Sequence, residues 1–154
     1  MESIVYAQMA EVREETTRWW HETDEQLLVG TATILFVEDE EFVREVTCEV
    51  LRSAGYTVLA AKDAGEALRI YDRNSGAVEL LLTDIVLRGE NGRELAGRLR
   101  RENPALKVLF VTGYAEQMGL NLGEREQCLA KPFSTEVLLR NVRQLLDFVG
   151  NLDG

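Results

Sequence analysis

The 154-residue sequence contains few of the residues that metal sites and disulfide scaffolds need: one histidine and two cysteines. Cys48 and Cys128 lie in apolar patterns without metal-ligand spacing, so we interpret them as small buried hydrophobes in a reducing compartment. No apolar run reaches the eighteen residues of a membrane span. The first thirty residues lack an unbroken apolar stretch behind a basic start, which argues against a secretory signal. We therefore expect a soluble, cytoplasmic protein without membrane contact.

Positive charge is also scarce, with 17 Lys and Arg against 27 Asp and Glu and a formal net charge of −10. Such a surface repels phosphate backbones, so we expect no direct nucleic-acid binding. Half of the net charge falls in residues 1–33. We interpret 1–32 as an acidic, helical N-terminal extension, 33–148 as one globular domain and 149–154 as a C-terminal tail. The Trp19–Trp20 pair is a large apolar surface, so we expect the extension to pack on the domain or on a partner.

From residue 34 onward, short apolar runs alternate with segments of helical periodicity. The five apolar runs have the length and composition of strands that are covered on both faces. They are residues 34–37, 57–60, 80–83, 108–111 and 127–130. Asp63 and Ser134 have the residue types that cap helix N-termini, and Gly55 is a C-terminal helix signal. The alternation predicts an α/β domain, a parallel sheet wrapped by helices on both faces with right-handed crossovers.

Polar side chains follow four of the five predicted strands. In chain order they are Glu38-Asp39, Asp84, Thr112-Gly113 and Lys131-Pro132. Because ligands of open parallel sheets bind beyond the carboxyl ends of the strands, we expect these groups to converge. Clustered carboxylates repel one another unless a hard divalent cation such as Mg²⁺ lies between them. Metal, carboxylate nucleophile, lysine and hydroxyl are the groups that phosphoryl transfer onto an aspartate requires.

Each of these residues alone also has an ordinary structural explanation. Glu40 and Glu41 are typical of helix N-termini, where acidic residues favour the helix dipole. Lys131 alone is typical of a solvated surface, and Thr112 alone of a strand end. The combination at four strand ends is what favours a functional site.

Four stretches of the sequence resemble the receiver domains of bacterial two-component response regulators. They are ILFVEDEE (34–41), LLLTDIVLRGENG (80–92), VLFVTGYAE (108–116) and LAKPF (129–133). The likeness covers nearly all of the α/β domain and is strongest to receivers of hybrid histidine kinases and to solitary receivers. It implies a flavodoxin-like, doubly wound, five-stranded parallel sheet in the order 2-1-3-4-5 with five flanking helices. It also implies phosphorelay signalling in the cytoplasm.

The resemblance implies a role for each group at the strand ends. Asp84 would be the phosphoacceptor, taking a phosphoryl group from a phosphohistidine donor. Glu38 and Asp39, with Asp84 and the backbone carbonyl of Val86, would hold Mg²⁺. Because Glu38 replaces the commoner aspartate, its longer side chain would reach the metal through water.

The residues after the fourth and fifth strands would contact the phosphoryl group. Lys131 and Thr112 would each bind a phosphoryl oxygen, and Gly113 would leave room for the donor. The Lys131–Pro132 peptide bond would be cis, as it usually is in this family.

Two further positions depart from the family pattern. Cys128 stands where many receivers have a tyrosine or phenylalanine switch, and a small thiol cannot swing between buried and exposed positions as a ring does. Tyr114 is a candidate partial substitute, with an incidental surface tyrosine as the alternative. Arg88 replaces the proline that often follows the hydrophobic residue of the phosphoacceptor loop, and we expect this replacement to loosen that loop.

The implied partners are a histidine kinase or histidine phosphotransfer protein and a protein output partner, with a homodimer as one candidate assembly. The chain would be no enzyme beyond its own phosphorylation and slow dephosphorylation. One alternative is a phosphorylation-independent interaction module on the same fold. Another is a phosphatase of the haloacid dehalogenase type. The latter is disfavoured because its nucleophile follows the first strand in an Asp-x-Asp pattern, where this chain has Glu38-Asp39-Glu40.

Overall fold

The five apolar runs form one parallel sheet in the computed structural model, which describes residues 30–74, 76–114 and 121–149. Its strands are β1 (Thr33–Val37), β2 (Thr57–Ala61), β3 (Val78–Asp84), β4 (Lys107–Thr112) and β5 (Glu126–Ala130). All neighbouring strands pair in parallel, in the order β2-β1-β3-β4-β5. The predicted α/β class and the strand order that the resemblance implied are both confirmed.

Four helices flank the sheet in the described residues: α1 (Glu41–Ser53), α2 (Ala64–Arg73), α3 (Gly92–Glu102) and α4 (Thr135–Asp147). The predicted capping signals are confirmed, because the Asp63 and Ser134 side chains accept hydrogen bonds from the first turns of α2 and α4. Gly55, just after α1, has a φ of 101°, which favours glycine. The fifth implied helix, between β4 and β5, would include residues 115–120, which lie outside the described residues, as does the proposed extension up to residue 29.

Both faces of the sheet are covered, which explains why the strand sequences are apolar throughout. Successive side chains of a strand point to opposite faces. Ile34 and Phe36 therefore pack beneath α1 and α4, while Leu35 and Val37 pack beneath α2 and α3. Both core clusters are contiguous and buried, so they hold the strand ends in fixed relative positions.

A short antiparallel hairpin follows β3 directly, pairing Val86–Leu87 with Glu90–Asn91. Gly89 in its turn has a φ of 68°. Arg88 lies within this hairpin, and the looser loop that we expected from it stays a prediction. No helix among the described residues is both long enough and apolar enough to cross a bilayer.

Candidate functional site

A cleft of about 490 Å³ opens at the carboxyl edge of the sheet. The residues that line it include eight of the ten predicted site residues: Glu38, Asp39, Asp84, Val86, Thr112, Gly113, Tyr114 and Lys131. Pro132 and Cys128 do not line the cleft. The fold therefore brings the predicted groups from four strand ends to one place.

Three carboxylates converge at the floor of this cleft. Glu38, Asp39 and Asp84 each offer one oxygen atom, and these atoms all lie within 4.8 Å of one another. The strand register explains why Glu38 and Asp84 lie together. Val37 pairs with Thr83, and the residue that follows each of them in the chain is an acid. Glu38 is 3% exposed and Asp84 is 9% exposed, so these carboxylates lie close together away from bulk water.

The electrostatics of the two buried carboxyl groups favour a bound cation. Burial, reinforced by the charge of Asp84, raises the pKa of Glu38 to about 8. Burial also raises the pKa of Asp84, although Lys131 acts in the opposite direction. Groups that resist ionisation because they are desolvated and repel each other become good ligands when a divalent cation neutralises them. An all-oxygen set of this kind fits Mg²⁺.

Lys131 extends into the same cluster from the end of β5. Its Nζ lies 3.0 Å from Oδ1 of Asp84 and 3.4 Å from Oε1 of Glu38. Burial alone would lower the pKa of this ammonium group, but the two carboxylates outweigh that effect and raise it. The Lys131 N–H donates to the Thr112 carbonyl oxygen at 2.8 Å, which fixes the lysine backbone beside β4. The Lys131–Pro132 peptide bond is cis, as the resemblance implied.

Thr112 lies at the end of β4 beside the acidic cluster. It is buried, and its Oγ1 accepts a hydrogen bond of 3.0 Å from the Tyr114 N–H. This contact closes a local turn over Gly113 and holds the hydroxyl at the wall of the cleft. Tyr114 itself is 55% exposed, so its ring lies at the rim.

Gly92 supports the backbone around Asp84, a role that our sequence reasoning did not assign. Its N–H donates to the Ile85 carbonyl oxygen at 2.7 Å, and a methyl group added at this glycine would overlap the backbone carbonyl oxygen of Asp84. The Thr83 hydroxyl donates to the same carbonyl at 3.0 Å. The only signal for this contact in the sequence was a glycine at the start of a predicted helix.

Arg88 was also missed as part of the site. Its Nε lies 3.7 Å from Oδ2 of Asp39, although the arginine side chain is 84% exposed. The replacement of the family's proline therefore brings a cation to the rim of the acidic cluster.

Our interpretation of the two cysteines as buried hydrophobes holds for Cys48, whereas Cys128 is only half-buried. Cys128 pairs with Phe110 across β4 and β5. Burial raises its pKa, and the charge of Arg93 partly opposes that shift. The Arg93 guanidinium lies 5.8 Å from the centre of the Phe110 ring. An arginine, a phenylalanine and a thiol thus occupy the region of the expected aromatic switch.

A doubly wound 2-1-3-4-5 sheet with an acidic cluster and a lysine at its carboxyl edge defines the class of receiver domains. The model of the response regulator receiver domain family matches residues 34–143 of this chain. The chain belongs to this family, whose domains act in two-component phosphorelay signalling.

The chain is similar both to a receiver that is part of a sensor kinase and to a receiver that makes up nearly the whole of its protein. The chain is 38% identical over 123 residues to the sensor kinase CckA of Brucella abortus, covering 78% of this chain but 13% of that protein. It is 34% identical over 118 residues to the response regulator receiver protein CpdR of the same organism, covering 73% of this chain and 95% of CpdR. The chain spans about half the length of several transcriptional regulators that it also matches.

Solved structures agree with the family assignment. The receiver domain of the hybrid histidine kinase CckA is 36% identical, with a TM-score of 0.66, covering 75% of this chain and 100% of that one. The response regulator TrrA of Thermotoga maritima, solved in complex with Mg²⁺ and BeF, is 29% identical, with a TM-score of 0.65, covering 75% and 99%.

Proposed function

We propose that this chain is a Mg²⁺-dependent receiver whose Asp84 accepts a phosphoryl group from a phosphohistidine donor. The observation that carries the proposal is the position of the Lys131 ammonium group, 3.0 Å from Asp84 inside a cluster of three carboxylates. A lysine that only formed a structural ion pair would need one carboxylate. The surplus of negative charge is what a metal and a phosphoryl group require.

The residues that would hold the metal are Glu38, Asp39 and Asp84, through their carboxylates, and Val86, through its backbone carbonyl. A Mg²⁺ ion bound there would supply charge neutralisation on the phosphoryl oxygens. The longer side chain of Glu38, in place of the family's more usual aspartate, would hold the metal less directly.

The side chains of the cleft then carry out the transfer of the phosphoryl group. A carboxylate oxygen of Asp84 attacks phosphorus and the phosphorus–nitrogen bond of the donor breaks. The donor imidazole, protonated beforehand on its other ring nitrogen, takes the electron pair of that bond and leaves as neutral imidazole. The Lys131 ammonium group, which contacts the Asp84 carboxylate before transfer, then contacts a phosphoryl oxygen. The Thr112 hydroxyl donates a hydrogen bond to another phosphoryl oxygen. Gly113 has no side chain to obstruct the donor.

The phosphoryl group adds about −1.5 to −2 charge at the carboxyl edge of the sheet. We propose that this charge biases a protein-binding surface, so that the output is protein–protein contact or relay to a histidine phosphotransfer protein. The partners are then a histidine kinase or phosphotransfer protein and an output protein, in the cytoplasm. The chain turns over no external substrate and only gains and slowly loses its own phosphoryl group.

Intact-mass measurement after incubation with Mg²⁺ and acetyl phosphate tests the proposal. We expect one added phosphoryl group, lost on chelation of the metal and absent in Asp84→Asn. Because fast hydrolysis would hide the adduct, beryllofluoride binding in the presence of Mg²⁺ is measured alongside.

The matched control is Asp63→Asn, an acid at the start of α2 that lies outside the cleft. This variant should be phosphorylated like the wild type. A folded wild-type protein that shows neither the adduct nor beryllofluoride binding would favour the phosphorylation-independent module. Hydrolysis of a generic phosphate ester that is lost in Asp39→Asn and kept in Asp84→Asn would instead favour the phosphatase.

A further inference from the structure

A second cleft, of about 570 Å³, runs along α1 beside the edge strand β2. We call it the α1 groove; it is lined by Arg44, Glu45, Cys48, Glu49, Arg52, Ser53 and Ala60. It shares no lining residue with the acidic cleft. Cys48 is 4% exposed and forms the apolar floor with Ala60, while the charged side chains form the rims.

The basic side chains of the groove lack a carboxylate partner within the described part of the chain. Arg44 Nη1 donates to the Glu38 carbonyl oxygen at 2.8 Å, and Arg52 Nη2 donates to the Val58 carbonyl oxygen at 3.0 Å. Arg44, Cys48 and Arg52 are four residues apart along α1 and therefore form one row. The groove thus combines an apolar floor with two guanidinium groups that are bonded to backbone carbonyls, and Glu45 and Glu49 also line it, so that its lining has no net charge.

The described chain begins at one end of this groove. The Gly30 N–H donates to the carbonyl oxygen of Ala54 at 2.9 Å, and Ala54 directly follows Ser53, a lining residue. A methyl group added at Gly30 would overlap the ring of Tyr56, so the backbone of Gly30 packs directly on this ring, just beyond the end of α1. The described part of the chain therefore begins beside the groove.

We propose that residues 1–29 of the same chain dock in the α1 groove, with the Trp19–Trp20 pair over the floor at Cys48. This segment contains seven acids and two arginines, so it offers carboxylates that can pair with the Arg44 and Arg52 guanidinium groups in place of their backbone partners. The tryptophans bring the large apolar area that the floor can cover.

The length of the segment permits this contact. The lining residues of α1 run from Arg44 to Ser53, ten residues that span about 14 Å of helix. Ten residues separate Trp20 from Gly30, a distance of about 15 Å if helical and about 33 Å if extended. A segment tethered this close has an effective concentration on the order of millimolar, which favours docking within the chain over binding of a second copy.

Tryptophan fluorescence of the full chain tests this proposal directly, because both tryptophans of the protein lie in the segment. We expect blue-shifted emission that is protected from acrylamide and independent of protein concentration. Arg52→Glu should shift the emission to longer wavelength and increase quenching. Arg69→Glu makes the same charge change on an exposed residue of α2, on the other face of the sheet, and should leave the emission unchanged.

Circular dichroism of each variant establishes that the domain is folded, so that loss of docking is distinguished from loss of structure. Three results would overturn the proposal. Solvent-like emission in the wild type means that the segment is undocked or awaits another protein. Emission that shifts on dilution means that a second copy provides the groove, and emission that ignores Arg52→Glu means that the segment packs elsewhere.

Discussion

The two edges of the sheet hold their buried charges in different ways. At the carboxyl edge, three carboxylates converge on one lysine, Lys131. At the amino edge, Arg100 donates to the carbonyl oxygens of Leu106 and Arg125, and its Nη1 lies 2.7 Å from Oε2 of Glu126. One edge has excess negative charge, whereas the other matches one cation to one carboxylate and fills its remaining donors with backbone oxygens.

This difference separates a binding site from a structural contact. The ion pair of Arg100 with Glu126 at the amino edge joins the end of α3 to the starts of β4 and β5, and it needs no further ligand. At the carboxyl edge, burial raises the pKa of both Glu38 and Asp84, and the negative charge of a neighbouring aspartate adds to the shift, Asp84 acting on Glu38 and Asp39 on Asp84. Buried carboxyl groups of this kind lower the stability of the folded protein when they ionise, and a bound cation removes that loss by neutralising their charge.

The largest expected effect is the pH dependence of the metal-free protein. Glu38 has a pKa of about 8 in the folded protein and about 4.5 when unfolded. Between these values the folded protein binds more protons than the unfolded chain, so stability falls as pH rises, by roughly 1.4 kcal/mol per pH unit for one proton. Urea unfolding in EDTA from pH 5 to 8 measures this loss.

Mg²⁺ added at pH 8 should restore stability, because it binds the ionised carboxylates of the folded protein. Glu38→Gln should flatten the pH profile and weaken the response to Mg²⁺. A metal-free stability that is constant or rises over this window would show that the carboxyl edge carries no excess charge of consequence.

A methyl group at Gly92 should have the next largest effect. It would overlap the Asp84 carbonyl, which belongs to rigid backbone, so we expect Gly92→Ala to destabilise the protein by about 2–3 kcal/mol and to slow adduct formation. Gly97→Ala is the matched control in the same helix, since nothing lies within 4 Å of its Cβ position. It should stabilise by up to about 1 kcal/mol. Equal free energies of unfolding for the two variants, measured by chemical denaturation, would contradict the close contact at Asp84.

At the amino edge, Arg100→Met should destabilise the protein by about 2 kcal/mol without changing phosphorylation. The substitution leaves the Glu126 carboxylate and two carbonyl groups without their partly buried donor. Arg140→Met, which removes an exposed helical ion pair with Glu136, should cost less than about 0.5 kcal/mol. If Arg100→Met abolished the phosphoadduct while the protein remained folded, the two edges would not be independent.

The sequence sufficed to predict what depends on local pattern. Apolar runs and capping residues predicted all five strands and the four described helices, because periodicity and caps are properties of neighbouring residues. Convergence at the carboxyl edge followed from the α/β class, since parallel strands end on the same side. The roles assigned to Asp84, Thr112 and Lys131 remain proposals, although their side chains do line one cleft.

What the sequence could not predict depends on distances between segments. The contact of Gly92 with the Asp84 backbone and the ion pair of Arg88 with Asp39 arise from how the hairpin after β3 folds back. The partial exposure of Cys128 depends on how residues from α3 cover β5. No residue pattern within one segment encodes these three arrangements.

The smallest expected effect concerns the rim of the acidic cleft. Arg88 lies 3.7 Å from Asp39 but is 84% exposed, so water and salt screen the pair and its loss should change stability little. The same positive charge opposes a divalent cation, and a unit charge at about 4 Å in water contributes on the order of 1 kcal/mol. Arg88→Ala should therefore tighten Mg²⁺ binding by about two- to fivefold, with a larger gain at low salt.

Titration with Mg²⁺ at two ionic strengths measures this effect, with the distant Arg73→Ala as the control for net charge. Unchanged affinity in Arg88→Ala would mean that the arginine is too solvated to affect the cluster. Weaker binding would mean that Arg88 orients Asp39 towards the metal. Tighter binding would show that Arg88 is one of the charges that balance the carboxylates at the carboxyl edge, as Arg100 balances Glu126 at the amino edge.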